Sequence, residues 1–190
     1  DMGVEYVIVG HSERRNYQKE TDEIINKKIK AAISAGLRPI LCVDKISQIP
    51  NDISGEAVVA YEPLFAIGTG KACSPEEAEK MRISIKETLQ LRLEQEVPVL
   101  YGGSVNSENA RDYLQKAHFD GLLVGGASLK PDEFIKIIMS SVPQAGLETF
   151  REVKELEYIM PEFLEGWGMT QNKEHIYTVW DHSLKALEHA

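Results

Sequence analysis

The sequence predicts an α/β chain built on a parallel sheet with helices outside it. Its strand candidates are apolar throughout rather than alternating, which is the pattern of strands covered on both faces. Helical stretches separate most of them, as parallel crossovers require. Glycine pairs and isolated polar residues collect where these strands end, which is where α/β folds place their sites.

Residues 4–10, ending in Val7-Ile8-Val9-Gly10, read as the first strand. Residues 22–35 follow with helical apolar spacing at Ile24, Ile25, Ile29, Ala32 and Ile33, between a Thr21 cap and Gly36. Pro39 to Val43 is the second strand and Ala57 to Tyr61 the third. Only residues 44–56 lie between them, close to the minimum of about a dozen for a parallel crossover, and Pro50 shortens any helix there. Ser74-Pro75-Glu76-Glu77 is a capping box with proline at the first helical position, opening a helix to about residue 94. Val97 to Tyr101 is a fourth strand, and Ser107 or Asn106 is expected to cap a helix to about Lys116. Gly121 to Val124 is the fifth strand, and a helix runs from Pro131 to about Ser140. Five such strands fit either an open doubly wound sheet or part of a (β/α)8 barrel. In barrels phosphate is often held after the last two strands, and here those loops are Gly102-Gly103-Ser104 and Gly125-Gly126.

The bulk composition narrows the classes of function. The 190 residues are 43% hydrophobic and 27% charged, which is the balance of a globular chain. No apolar run approaches the roughly 20 residues that span a bilayer, and the first residues do not read as a signal peptide, so no membrane association is expected. The two cysteines, Cys42 and Cys73, have neither metal-like nor redox spacing and suit a reducing, cytoplasmic setting. A net charge of −9 argues against nucleic acid as a partner. Small anions remain possible, because main-chain amides bind them locally. Asp1 precedes a strand that is under way by Tyr6, so a piece of a longer protein is expected.

The stretch Ala60 to Lys71 carries the strongest chemical pattern. Glu62 stands where a buried strand stops, Pro63 bars continuation, and a short apolar loop with Gly68 and Gly70 follows. A carboxylate there suits a general base beneath a loop that excludes water, although a plain strand–helix connection with an incidental Glu reads equally well. His11 lies at another strand end, where a histidine taken singly is more often structural. Together, His11 and Glu62 offer an electrophile and a base on one face. The two Gly-Gly turns let main-chain N–H groups approach a phosphate.

Val7 to Arg15, Ala60 to Lys71, Tyr101 to Val105 and Leu123 to Leu129 together resemble the triosephosphate isomerase family, in register and in order over about residues 1 to 140. The resemblance implies a partial (β/α)8 TIM barrel, its last five strands, with an α-helical C-terminal extension. It implies that Glu62 removes a carbon-bound proton next to a carbonyl that neutral His11 polarises. Residues 63–71 would form the closing loop, with Gly68 donating its amide to phosphate. Ser104, Gly125 and Gly126 would complete the phosphate contacts, and Glu13 would be a supporting carboxylate. The implied reaction interconverts dihydroxyacetone phosphate and glyceraldehyde 3-phosphate through an enediolate, in glycolysis and gluconeogenesis. It uses no cofactor and no metal, and the full-length family is expected to form a homodimer.

Phe65 stands where that family usually carries Trp, and Asp44-Lys45 where it usually carries Gly-Glu. The family's first three βα units, which supply an Asn and a Lys to the substrate site, have no counterpart in the chain. The chain alone is therefore expected to be inactive. Residues 1–141 form the expected barrel portion and 142–190 a separate extension, with nine acidic and four basic residues and both tryptophans, Trp167 and Trp180. In the extension, Leu156 to Glu162 and His175 to Leu184 resemble the stretch of CCA-adding nucleotidyltransferase-like proteins that leads into an HD domain. His182 would match a first metal ligand there, without the His-Asp pair that completes the site. An amphipathic helical cap is the plainer account of these residues. The alternatives to an isomerase are thus a catalytically idle fragment or scaffold, or a fragment of an RNA-handling HD-domain protein.

Overall fold

Burial of the apolar runs sets the sheet. In the computed structural model, residues 3–66, 72–93 and 95–141 are described. Five parallel strands pair strictly in chain order: β1 (Tyr6–Val9), β2 (Arg38–Val43), β3 (Val58–Tyr61), β4 (Val99–Tyr101) and β5 (Gly121–Leu122). A doubly wound sheet would reverse direction at a switch point. This order does not, so the fold is that of part of a (β/α)8 barrel.

The helices answer their sequence signals closely where a cap is strong. Helix α1 (Ser12–Tyr17) is a short turn that the strand pattern alone did not suggest, with His11 as its N-cap. Helix α2 (Asp22–Ser34) starts at Thr21, whose hydroxyl accepts the N–H of Ile24. Helix α3 (Pro75–Gln90) starts at Ser74, whose hydroxyl accepts the N–H of Glu77, and ends before the expected residue 94. Helix α4 (Ala110–Gln115) begins later than expected, after Asn109. The Asn106 side chain accepts the N–H groups of Glu108 and Asn109, so it closes a turn instead of capping a helix. Between β2 and β3 only one 3-10 turn, Ile46–Gln48, replaces a crossover helix.

The apolar sides of α2, α3 and α4 share one core with the sheet. Leu41, Val43, Val59, Tyr61 and Tyr101 meet Ile25 and Ile29 of α2, Ile85 and Leu89 of α3, and Tyr113 of α4. Each such aliphatic side chain contributes about 1.5–3 kcal/mol by leaving water. Tyr101 stacks on Tyr113 at 3.7 Å between ring centres and meets Phe119 edge-on, which braces β4 against α4. Strand β3 is buried at every position, as its unbroken apolar run required. Strand β1 differs: among the described residues it pairs with β2 alone, and its Tyr6 and Ile8 are exposed.

The chain divides into two units, residues 1–130 and 131–190. The first holds the whole sheet. In the second, helix α5 (Pro131–Ser141) is described, and residues 142–190 lie outside the described residues. Among the described residues no helix is long and apolar enough to cross a membrane.

Candidate active site

The ends of β1 and β3 bring two reactive side chains together. Gly10 turns the chain out of β1 at φ +70°, and a Cβ there would press on Arg15, Ile25 and the Cys42 carbonyl at 3.1–3.3 Å. That turn sets His11 at the start of α1, where its Nδ1 accepts the N–H of Glu13 at 3.4 Å. With Nδ1 accepting, the proton of the neutral ring sits on Nε2. Nε2 lies 3.4 Å from Oε1 of Glu62. The other oxygen, Oε2, accepts the N–H of Ser12 at 3.2 Å.

Glu62 is only 3% exposed. Its own N–H donates to the Val43 carbonyl at 2.8 Å, which fixes the chain as it leaves β3. Burial raises its carboxyl above the ordinary value, against the Cys42 thiol, His11, the Ser12 amide and Arg15, which all favour the charged form. Burial, and the Glu62 carboxylate beside it, likewise push the Cys42 thiol far up and keep it protonated. A carboxylate poorly solvated yet contacted by several donors is suited to accept a proton and hand it back.

Gly102, at the end of β4, makes room for this carboxylate. A Cβ at Gly102 would stand 3.0 Å from Cγ of Glu62 and 3.4 Å from the Tyr61 carbonyl. Gly103 is equally constrained, because a Cβ there would overlap the Tyr101 ring and hydroxyl. Gly125 and Gly126 are the opposite case, with nothing within 4 Å of a Cβ at either. Gly126 opens a 3-10 turn, Gly126–Leu129, closed by the Ser128 N–H on the Gly125 carbonyl at 2.9 Å.

One pocket of about 480 Å³ is lined by His11, Glu13, Glu62, Ser104, Gly125 and Gly126. Six of the seven site residues expected from the sequence therefore share it, and the seventh, Gly68, lies outside the described residues. Glu13 sits at the rim with its side chain 72% exposed, its Oε2 4.0 Å from Nδ1 of His11. The Ser104 hydroxyl donates to the Ala66 carbonyl, tying the β4 loop to the segment after Glu62. That segment turns tightly, with the Ala66 N–H on the Pro63 carbonyl at 2.8 Å. Phe65 is 59% exposed. Among the described residues no group of His, Cys, Asp and Glu could hold a metal ion.

Sequence reasoning missed three contributors to the site, Ser12, Cys42 and Arg15, and read a fourth, Gly102, only as part of a glycine loop. Ser12 supplies an amide to Glu62, Cys42 lies against it, and Gly102 leaves it space. Arg15 ties three elements together: Nε donates to Gly10 O at 2.7 Å, Nη2 to Cys42 O at 3.3 Å, and Nη1 pairs with Asp22 at 2.6 Å. Sheet register would have pointed to Gly102, since Tyr101 lies opposite Tyr61. Nothing local marks the others.

Comparison with known proteins agrees with this geometry. A family model described as triosephosphate isomerase matches residues 1–141. The triosephosphate isomerase of Alkaliphilus oremlandii is 44% identical over 163 residues, covering 73% of this chain and 66% of that protein. Those of Lactobacillus delbrueckii subsp. lactis and Fusobacterium nucleatum subsp. nucleatum are also 44% identical, over 73% of this chain and 65% of theirs. The chain thus spans just under two thirds of the length of these curated relatives.

Proposed function

The chain belongs to the triosephosphate isomerase family, and from that premise we propose that it carries the proton-transfer half of an isomerase site for a phosphorylated triose. The observation that supports this most is the buried Glu62 carboxyl set between Nε2 of His11 and the Ser12 amide, in one pocket with the glycine loops. Glu62 takes the proton from the carbon next to the substrate carbonyl. The His11 Nε2–H donates to that carbonyl oxygen as negative charge develops on it, which stabilises the enediolate. Returning the proton to the neighbouring carbon, while the hydroxyl proton passes from one oxygen to the other through Nε2 of His11, exchanges ketose for aldose. In this reading dihydroxyacetone phosphate and glyceraldehyde 3-phosphate are the two substrates, the step belongs to glycolysis and gluconeogenesis, and the chain's own side chains carry every proton. Neutral imidazole and loop closure are established for this enzyme family and are carried to His11 and residues 63–71 by similarity.

Ser104, Gly125 and Gly126 would hold the phosphate with main-chain amides, Gly68 would add one from the loop, and Glu13 would support His11. A cytoplasmic homodimer is the assembly we expect for the whole protein. For residues 142–190 we keep the reading as the opening segment of an HD-type domain, on the order of motifs from Leu156 to Leu184. Turnover of glyceraldehyde 3-phosphate tests the proposal. It compares the chain alone, the chain mixed with a separately expressed segment supplying the family's first three βα units, and both with Glu62→Ala. Turnover that disappears with Glu62→Ala supports a competent half-site. Folded protein with no turnover in either mixture refutes catalysis and leaves the idle-scaffold reading.

A further inference from the structure

The segment that carries Glu62 is tied to β2 by a side chain outside the reactive pair. Pro63 has no N–H, so Glu62 and Leu64 offer the only main-chain donors of residues 62–64. Both are taken by consecutive residues at the end of β2. The Glu62 N–H goes to the Val43 carbonyl at 2.8 Å, and the Leu64 N–H to Oδ1 of Asp44 at 2.9 Å. Asp44 is itself held from behind, because its N–H donates to Oε1 of Gln48 at 2.7 Å and the Lys45 N–H reaches the same oxygen at 3.4 Å.

We infer that Asp44 is a positioning residue for Glu62: its carboxylate pins the Leu64 amide and so holds the reactive carboxyl towards His11. A cavity of about 130 Å³ lies on the other side of Glu62, lined among others by Arg15, Cys42, Asp44, Gln48 and Leu64. There is room for Glu62 to retreat, so its placement depends on the backbone that carries it. A hydrogen bond from an amide to a charged oxygen is stronger than one between neutral groups, and a proline beside it stiffens the pinned segment. The catalytic consequence rests on the isomerase reading of Glu62, whereas the mechanical link does not.

The test uses the full chain with Asp44→Ala and Asp44→Asn. It measures hydrogen exchange at the Leu64 amide and titration of a 13C-labelled Glu62 carboxyl by NMR, with the thermal midpoint as a folding control. Asp44→Ala should speed Leu64 exchange roughly tenfold or more, the loss expected for a charge-assisted bond. It should also bring the Glu62 titration down towards an ordinary carboxyl as water reaches it. Asp44→Asn, whose amide oxygen still accepts, should keep most of the protection and of the raised titration. A lowered midpoint with Leu64 exchange and Glu62 titration unmoved overturns the proposal. Should Asp44→Ala fail to fold, Gln48→Leu carries the same test: faster Leu64 exchange supports the link and unchanged exchange overturns it. Turnover is read in parallel with the added N-terminal segment. A parent preparation that turns over should lose kcat in Asp44→Ala with KM nearly held. A parent with no turnover counts against the isomerase reading and leaves the exchange and titration results standing.

Discussion

The two halves of the pocket are built on different principles. Around Glu62, groups from α1, β2 and the turns after β1 and β4 converge on one buried carboxyl, and even the glycine beside it is packed. Around Gly125 and Gly126 the chain faces open space and no neighbour approaches within 4 Å of a Cβ at either position. A base must be desolvated and aimed before substrate arrives, because its proton affinity depends on what surrounds it. In the proposed isomerase site, a phosphate loop made of main-chain amides needs only the right backbone shape, and the anion supplies the remaining contacts.

Core substitutions should give the widest separation between the halves. Leu41→Ala, at a fully buried position of β2, should cost about 2–5 kcal/mol in urea unfolding. Leu122→Ala in partly buried β5 should cost under about 2 kcal/mol. Equal costs would mean that β5 is as deeply embedded as β2.

Gly102→Ala comes next. Its new Cβ would push on Glu62 Cγ, and a displacement of the base by about 1 Å is worth on the order of 100-fold in turnover. Steady-state kinetics of the complemented chain measures this, and a loss confined to KM would place the damage in binding instead.

Glu62→Gln sharpens the electrostatic side of the contrast. The folded state raises the Glu62 carboxyl above its ordinary 4.5, so it keeps a proton that the unfolded chain releases. Stability from this group is therefore fully present below 4.5 and is lost as pH rises through the raised value. Glu62→Gln should raise the thermal midpoint near neutral pH, with the gain fading in acid. A gain equal at both pH values would break the assignment.

The smallest effect belongs to Gly126→Ala. Stability should stay within about 0.5 kcal/mol because no atom meets the added methyl. Substrate affinity should fall, since the methyl would occupy the space left for phosphate. Calorimetry and KM together separate these outcomes.

Much of this chain was legible from local chemistry. Thr21, Ser74-Pro75 and Gly36 mark helix ends because capping depends on residues three or four apart. The helix near Asn106 was misplaced because an Asn can close a turn as readily as cap a helix, and only the surrounding backbone chooses. The apolar runs foretold parallel strands, and four motifs foretold the pocket. The exposure of β1 was not legible, since burial belongs to whatever lies alongside a strand and not to the strand's own composition.

The sequence by itself determined most of the elements, the strand-end positions of His11 and Glu62, and the glycine turns after β4 and β5, all of which rest on short-range sterics and hydrogen bonding. Tertiary structure decided how the Glu62 carboxyl is held. Ser12 reaches Glu62 across 50 residues, Arg15 reaches Cys42 across 27, and Asp44 reaches Leu64 across 20. Such contacts depend on which strands become neighbours and in what register. No local pattern encodes that register; it is settled when the apolar faces of the whole sheet and its helices are buried together.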